Sequence, residues 1–571
     1  MEEIKSKIAI LLNKYIKELY KVDIDSKNLL ELPKDEKMGD LSMPCFRLSN
    51  VAKKSPIDIA NEIKDKFKKE EEIKNIACVN GYLNFEVSFD KEAIDILNKS
   101  LKIDDNKKSI DKTIVIDYSS PNIAKPFHLG HFRNTVLGSS IYKIYKELGY
   151  NVVGINYLGD WGRQFGLLIE GYNRFKDEYD FENNALDALC SIYVRINQLA
   201  KEDDTIFDKA RENFLKLEEG DKEYLKLWEH FRNISLEEYN KLYKLIGCNF
   251  DSYNGEAFYN DKMDIVIKTL EDKKVLKDSE GAKVVYIPNE KVPCIILKSN
   301  GSSIYATRDL AAIMYRSKEY NYDKAIYITA YEQKGHFKQV FEVAKHLVNE
   351  KYQKGLMHVY YGMVKLKSGK MSTRDGNVIT VSNILDEVIS KSKNVILEKN
   401  VEGVDVDKLS KEIGISALIF SYLKNSKVKD IVFDIDEILR FDGETGPYVQ
   451  YTYIRTLSIL NKENIKINTK ENNDFKIEKL DYIYNKEEIA IIKLLDLYNK
   501  KVLEAAENYE PSIIAKYLID LSKAFSVFYN NNTILHEEEN IKEARLLLVM
   551  AVNKLLKKGM ELLGMSTPEK M

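Results

Sequence analysis

Apolar positions along this chain follow two periods, and their order predicts the architecture. Thr113 to Ile116 is β-branched throughout and predicts a buried strand. Phe132, Val136, Leu137, Ile141, Ile144 and Tyr145 then recur at helical spacing, and Gly149 supplies a C-terminal stop. Asn151 to Tyr157 predicts a second strand, so the unit is a right-handed crossover in a parallel sheet. The sheet is expected to resume at Ile295–Leu297 and Ala325–Thr329, with a helix over His336–Val348 and a last strand from His358 to Val364.

The flanking segments have other patterns. Ile4, Ile8, Leu11, Leu12, Tyr15 and Leu19 mark an opening amphipathic helix. A helix near Pro56 to Lys69, a half-buried strand over Gly81–Val87 and a polar linker at Asp104–Lys112 follow. A charge-dense insertion at about 172–295 reads as helical, for example from Leu215 to Leu245. From about 386 onward the periodicity is helical, with Leu418, Ile419 and Tyr422 on one face. Runs over Tyr448–Leu460, Ile513–Tyr529 and Ala544–Leu563 predict an all-α bundle. The chain is therefore expected to be a multidomain α/β protein, its 571 residues being too many for one core. The expected parts are a small α+β domain at 1–107 and a Rossmann-like parallel-sheet domain at 108–385 carrying the helical insertion. A helical connecting region at 386–440 and the bundle at 441–571 complete it.

Two segments concentrate chemistry. His128-Leu129-Gly130-His131 lies where the predicted helix begins, and a helix N-terminus attracts anions. Two imidazoles there add donors for a phosphate, and Gly130 lets the backbone approach it closely. A dinucleotide fold would show G-x-G-x-x-G at this turn, and none is present. A Walker loop is excluded as well, since Gly362–Lys370 has the wrong glycine spacing. Zinc lacks a nearby Cys or carboxylate set. The second segment, Lys365 to Asn377, is a glycine-punctuated loop with four cations and three hydroxyls, suited to closing over a triphosphate.

With both segments in hand, the chain resembles the class I aminoacyl-tRNA synthetases, and within them the arginyl-tRNA synthetases. His128-Leu129-Gly130-His131 matches the HIGH motif, and Lys370-Met371-Ser372-Thr373-Arg374 stands where KMSKS would. Ser119–His128, Leu158–Gly162, Tyr305–Asp309, Glu332–Gln339, Gly446–Tyr451 and the ending Leu562–Met571 carry the narrower likeness. Thr373 replaces the second lysine of KMSKS, and the resemblance implies that Lys125 stands in for it.

The resemblance implies ligation of L-arginine to its cognate tRNA through an arginyl-adenylate, with ATP as substrate, Mg2+ expected with it, and no zinc or organic cofactor. His128, His131, Lys125, Lys370 and Ser372 would stabilise charge on the phosphates. Gly130, His336, Met363, Val364 and Met371 would join them around ATP. A planar guanidinium calls for carboxylates at a forked spacing, and Asp117 and Asp309 match family positions for it. Tyr305, one helical turn before Asp309, Ser119, Asn122 and Gln333 complete the expected arginine site. Tyr82 and Asn84 in the first domain, and Tyr448, Tyr451, Phe525 and Tyr529 in the bundle, are the expected tRNA contacts. The family norm is a monomer. A tRNA-binding protein that has lost catalysis and a nucleotidylyltransferase sharing His-x-Gly-His are the competing readings.

Composition changes this picture little. Lys+Arg 87 against Asp+Glu 90 nearly cancels, so a nucleic acid must be met by local basic patches. The five cysteines, at 45, 78, 190, 248 and 294, form no C-x-x-C pair and suit a reducing cytoplasm. The acidic start, Met1-Glu2-Glu3, is unlike a signal peptide, and no run of eighteen apolar residues exists to span a membrane.

Overall fold

A computed structural model describes the chain except residues 1, 34, 36–37, 69, 71–72, 88–89, 104–108, 300–303, 367–379, 400–402, 464–481 and 483. The chain divides into two units, one of residues 1–105, 458–498 and 523–555, the other of 106–457, 499–522 and 556–571.

The first unit contains an antiparallel sheet of β1 (Leu41–Pro44), β2 (Ile73–Val79) and β3 (Tyr82–Val87), ordered β1-β3-β2. The helices Glu2–Tyr20 and Pro56–Lys66 cover it. Ile4, Ile8, Leu12 and Ile16 recur every four residues and pack with Ile59, Ile63, Leu83 and Phe85. Helical segments of this unit are pinned by Arg545, which donates to Glu488 at 2.8 Å, the carboxylate being fully buried.

In the second unit, β4 (Ile110–Asp117), β5 (Tyr150–Ile155), β9 (Lys324–Ala330) and β10 (Leu356–Tyr361) form a wholly parallel sheet, ordered β10-β9-β4-β5. The helix Leu129–Glu147 makes the crossover from β4 to β5. Both faces of β4 are covered, which is why its later half is an unbroken buried run. From β4 the chain runs to β5 on one side, while β9 leads to β10 on the other. The carboxyl ends of β4 and β9 therefore flank a topological switch point, where such sheets bind ligands.

Ile295–Leu297 does not belong to this sheet. It lies in β8 (Cys294–Leu297), which pairs antiparallel with β7 (Ala282–Val285), itself a hairpin partner of β6 (Leu276–Ser279). Glu280 and Gly281 make that hairpin turn with positive φ at both residues. A four-residue apolar run cannot reveal which kind of sheet it joins. The strand expected from His358 to Val364 also divides: β10 ends at Tyr361, and β11 (Val364–Leu366) pairs parallel with β12 (Ile431–Phe433). The Leu215–Leu245 run is two helices, Asp204–Glu218 and Lys222–Leu245, separated at Gly220 with φ +82 and recapped by Asp221. No described helix is long and apolar enough to cross a membrane.

One buried side chain joins the pieces around the switch point. Arg133, only 2% exposed, donates Nη1 to the carbonyls of Gly362 at 2.7 Å and Met363 at 3.0 Å. Its Nη2 donates to Lys427 at 2.9 Å and Lys429 at 2.7 Å. The loop holding those last two carbonyls is itself held by Glu510, which accepts from the Lys427 amide at 2.9 Å and the Ser426 hydroxyl at 3.2 Å. Arg133→Met keeps the bulk and leaves four carbonyls without this donor. It is expected to lower unfolding stability by about 3 kcal/mol or more. Chemical denaturation checks this, and an unchanged midpoint would remove Arg133 from its place as the organising contact.

Candidate active site

The loop from β4 to the Leu129–Glu147 helix takes a costly backbone path. Ser119, Ser120 and Ala124 have φ of +72, +49 and +56, and none is glycine. A stripe on the Lys222–Leu245 helix stabilises it. Ser235 Oγ accepts from the Ala124 amide at 2.9 Å. Tyr239 Oη donates toward the carbonyls of Asn122 at 2.8 Å and Lys125 at 2.7 Å. Tyr243 Oη lies 2.8 Å from Ser119 Oγ. These residues stand four apart, on one buried helical face. The insertion thus shapes the loop that the sequence marked for chemistry.

His128 is the N-cap of the Leu129–Glu147 helix. Its Nδ1 accepts from the amides of Gly130 at 3.1 Å and His131 at 3.3 Å, and His131 Nδ1 accepts from the His128 amide at 3.4 Å. The two rings stack at 3.6 Å. A Cβ on Gly130 would stand 3.0 Å from the His128 ring, so a side chain there would displace it. Burial, with help from His128 and Lys125, pushes His131 down to about 3, and burial also lowers His128. Both rings are therefore neutral at physiological pH. With Nδ1 accepting, the proton sits on Nε2, so each ring presents one outward N–H donor.

A cavity of about 420 Å³ opens at the switch point. Asp117, Ser119, Asn122, His131, Tyr305, Asp309, Gln333 and His336 all line it, so the structure brings these expected residues together. Tyr305, Asp309, Ala312 and Arg316 reach it from one face of the Tyr305–Glu319 helix.

Several of these groups already have partners. Asp117 pairs with Arg316 at 2.8 Å, and Arg316 is 1% exposed beside the rings of Tyr157, Tyr259 and Tyr327. Burial works against the charge on Arg316, yet Asp117, Tyr259 and Tyr327 together outweigh it and hold the guanidinium well above its usual range, while burial raises the Asp117 carboxyl against the pull of Arg316. Asp309 Oδ2 lies 2.6 Å from His336 Nε2. Ser119 is 1% exposed, and its hydroxyl is bonded to Tyr243 and to Thr135 at 2.8 Å, so that side chain braces the loop.

Several cavity residues escaped the sequence reading, Asn134, Arg316, Tyr327 and Tyr361 among them, and two of the others bear on the chemistry. Glu256 lines the wall with Arg308 at 3.7 Å, and burial pushes its carboxyl up to about 8, against Arg308 and with Asp309. The signal was Gly255: a Cβ there would lie 2.6 Å from the Leu158 carbonyl and 2.7 Å from the Asp160 carboxylate. Tyr157 is the other. Its hydroxyl is buried without a hydrogen-bond partner among the described residues.

The remaining expected residues divide by environment. Lys370, Met371 and Ser372 lie outside the described residues. The described flanks of their segment both reach the histidine turn: Arg133 holds Gly362 and Met363, and the Val381 amide donates to the Phe127 carbonyl at 2.9 Å. Met363 cannot read a base edge with its backbone as expected. Its amide donates to Asp430 at 2.8 Å, and its carbonyl accepts from Arg133 and from the Ile431 amide. In the β11–β12 register the Val364 backbone groups face away from β12. Lys125 sits 5.9 Å from the Tyr193 ring.

Among the expected tRNA contacts, Phe525 is fully buried and packs toward Phe528, so it cannot stack on a base. Asn84 is also buried, its amide oxygen accepting from Ser42 at 2.7 Å, and serves the sheet. Tyr82 is half-buried with its ring edge-on to Phe46. Tyr448 is half-buried, while Tyr529 is exposed. Tyr451 is exposed beneath the Arg455 guanidinium at 4.7 Å.

A parallel sheet with stacked, neutral histidines at the switch point agrees with the class I aminoacyl-tRNA synthetase fold, and the matching families establish it. The family model for tRNA synthetases class I (R), catalytic domain, matches residues 92–435. The arginyl tRNA synthetase N terminal domain matches 3–87, and the DALR anticodon binding domain matches 449–571. The arginine–tRNA ligase of Clostridium botulinum (strain Alaska E43 / Type E3) is 45% identical over 99% of this chain and 100% of that protein. The arginine–tRNA ligase of Clostridioides difficile (strain 630) is 41% identical over 100% of both. The Plasmodium falciparum arginyl-tRNA synthetase structure superposes with a TM-score of 0.79 at 27% identity, over 100% of this chain and 99% of that one. This chain belongs to the arginyl-tRNA synthetase family.

Asp117→Asn would leave the Arg316 guanidinium buried without its counter-charge. The expected cost is about 3–5 kcal/mol of stability without any substrate present. A melting temperature like the wild type's would instead make Asp117 a ligand group with no structural duty.

Proposed function

We propose that this chain ligates L-arginine to its cognate tRNA through an arginyl-adenylate, releasing AMP and pyrophosphate. The observation that carries the reading is the pair of Nε2–H donors stacked at a helix N-terminus beside a carboxylate-lined cavity. The arginine carboxylate attacks the α-phosphorus of ATP and pyrophosphate leaves. A terminal ribose hydroxyl of the tRNA then attacks the acyl carbon and AMP leaves. The substrate itself supplies the first nucleophile, so the protein's work is alignment and charge neutralisation.

His128 and His131 donate to the phosphates, and Lys125 with Lys370 and Ser372 neutralises charge on the departing pyrophosphate. The two attachments flanking the Lys370 segment support that grouping. Magnesium enters as part of the ATP substrate. Among the described residues no group of three His, Cys, Asp or Glu side chains stands ready to hold a cation. Glu256 and Asp309 receive the guanidinium, with the Tyr157 hydroxyl and the Tyr305 ring beside it. Asn122 and Gln333 serve the α-amino and carboxylate ends, and Val364 offers its backbone to adenine. Lysine lacks the planar fork and would leave these carboxylates poorly paired, so it is rejected. Tyr451 with Arg455 forms the exposed stacking platform in the C-terminal region. The enzyme acts as a cytoplasmic monomer.

His128→Ala is expected to reduce arginine charging at least a hundred-fold while tRNA binding, read by filter retention, stays within about two-fold. A wild-type chain that charges no tRNA with arginine, in a screen of all twenty amino acids, would overturn the ligase reading.

Glu256 gives a pH signature. Its free carboxyl is protonated below about 8, and a guanidinium favours the ionised form. Arginine binding below that pH therefore releases up to one proton, and affinity rises with pH by at most about ten-fold per unit. The rise should flatten above about pH 8 and vanish in Glu256→Gln. Calorimetry in buffers of different ionisation enthalpy reads it, and a flat wild-type profile would take Glu256 out of the arginine site.

A further inference from the structure

Glu256 follows Gly255, an N-cap that has no side chain to offer, so the angle of its turn is set from outside. The Glu256 amide donates to the Leu158 carbonyl at 2.9 Å, and the next amide, Ala257, donates to Asp160 Oδ1 at 2.9 Å. The second Asp160 oxygen accepts from Arg232 Nε at 3.1 Å, and Arg232 Nη2 donates to the Tyr253 carbonyl at 3.1 Å. Trp228 Nε1 in turn donates to the Asp160 carbonyl at 2.6 Å. Trp228 and Arg232 lie one turn apart on the Lys222–Leu245 helix, so that helix holds Asp160 at two points.

Asp160 is 1% exposed and is not among the residues that line the arginine cavity. Burial raises its carboxyl, while the Ala257 amide and Arg232 pull it down. A carboxylate is costly there, and a neutral amide would satisfy one donor only. Two acceptor oxygens are needed because an amide and a guanidinium converge from opposite sides. The fit is also tight, since a Cβ on Gly255 would meet both Asp160 oxygens at 2.7 Å. Accurate placement matters for Glu256 in particular. Arg308 stands 3.7 Å from it and competes with any cationic ligand for the carboxylate.

We propose that Asp160 is a positioning residue for arginine recognition, fixing the 253–257 turn so that Glu256 meets the substrate guanidinium and does not close on Arg308. Its role rests on Glu256 being an arginine ligand, and it adds what aims that ligand.

Asp160→Asn keeps the volume but turns an NH2 group against one of the two donors. In the full-length chain it is expected to raise KM for arginine about ten-fold, with KM for ATP unchanged and kcat within about two-fold. Arginine affinity by calorimetry should fall by the same factor. Added to Glu256→Gln, the same substitution should cost less than about two-fold more, because its effect passes through Glu256. A further full loss in the double variant would make Asp160 a general brace of the cavity and overturn the proposal, as would an unchanged arginine affinity in Asp160→Asn. Arg232→Gln is the milder variant, on a partly exposed side chain, and decides alone if Asp160→Asn does not fold. It should weaken arginine binding about three-fold, an effect that likewise disappears beside Glu256→Gln. Unchanged affinity there overturns the proposal. A Glu256→Gln chain that binds arginine like the wild type would sink the reading of Glu256 as a ligand and the proposal with it. A weakened Glu256→Gln beside an unaffected Asp160→Asn would sink the proposal alone.

Discussion

Everything around the catalytic crevice depends on one buried guanidinium satisfied by carbonyls alone. Arg133 is placed by the helix that begins with His128, and it grips both the exit from β10 and the 427–429 loop. A carboxylate partner would fix one point. Four carbonyls from two separate segments fix a geometry, because a planar fork meets all of them only when the backbones hold one arrangement. The same loop accepts a second constraint from Glu510, whose two oxygens hold Ser426, the Lys427 amide and the Lys427 ammonium. The start of the Leu129–Glu147 helix is thereby tied, through two short hydrogen-bond steps, to the turn that follows the Lys486–Asn508 helix. Shifts at that turn reach the histidines through defined groups rather than through general rigidity.

Burial sets the charge states of the site, and it works in opposite directions on acids and bases. It neutralises both histidines by lowering their pKa and raises Glu256 to about 8. Two neutral imidazoles next to Lys125 avoid mutual repulsion and keep a donor toward the phosphates. A carboxyl kept near neutral by burial avoids standing as an unpaired charge until a guanidinium arrives. Burial raises Asp117 as well, but that carboxyl has a permanent partner in Arg316. Three carboxyl groups line one cavity: Asp117 holds Arg316 at 2.8 Å, Glu256 stands 3.7 Å from Arg308 and Asp309 meets only His336 among the described residues, so the last two have more to gain from a cationic ligand.

These pairings explain what the sequence could and could not disclose. The crossover unit, the helix start at His128 and the late helices were legible, because period and capping residues are local signals. Tyr305 and Asp309 were legible as one helical face for the same reason. Arg316 lies two further turns along that face, but its choice of Asp117 over Asp309 depends on the pairing of β4 with β9, a contact across about two hundred residues. Glu256 opens a short 3-10 helix, Glu256–Lys262, too brief to carry a readable hydrophobic period. Phe525 and Asn84 failed for a common reason: an aromatic on a helix or an amide on a strand looks the same in sequence whether it faces water or the core. Ile295–Leu297 failed because a short apolar run carries no information on the direction of its partner strand.

The long insertion acquires a purpose from this geometry. Its Lys222–Leu245 helix presents Ser235, Tyr239 and Tyr243 to the one loop whose backbone is left-handed at three non-glycine positions. Glycines would have adopted those angles at little cost, but they would have left the loop mobile and without the Ser119 hydroxyl that Tyr243 and Thr135 share. Strain supported by hydrogen bonds gives a single conformation, whereas freedom gives several, and His128 is thereby presented at one angle. The preceding helix, Asp204–Glu218, contributes Arg211 and Phe214 to a cationic cavity that shares Tyr305 with the one at the switch point. One helical hairpin, broken only at Gly220, therefore shapes the loop that leads to His128 and walls the cavity beside the one at the switch point. A change in that hairpin's packing would be felt by adenylation and by the cationic cavity together.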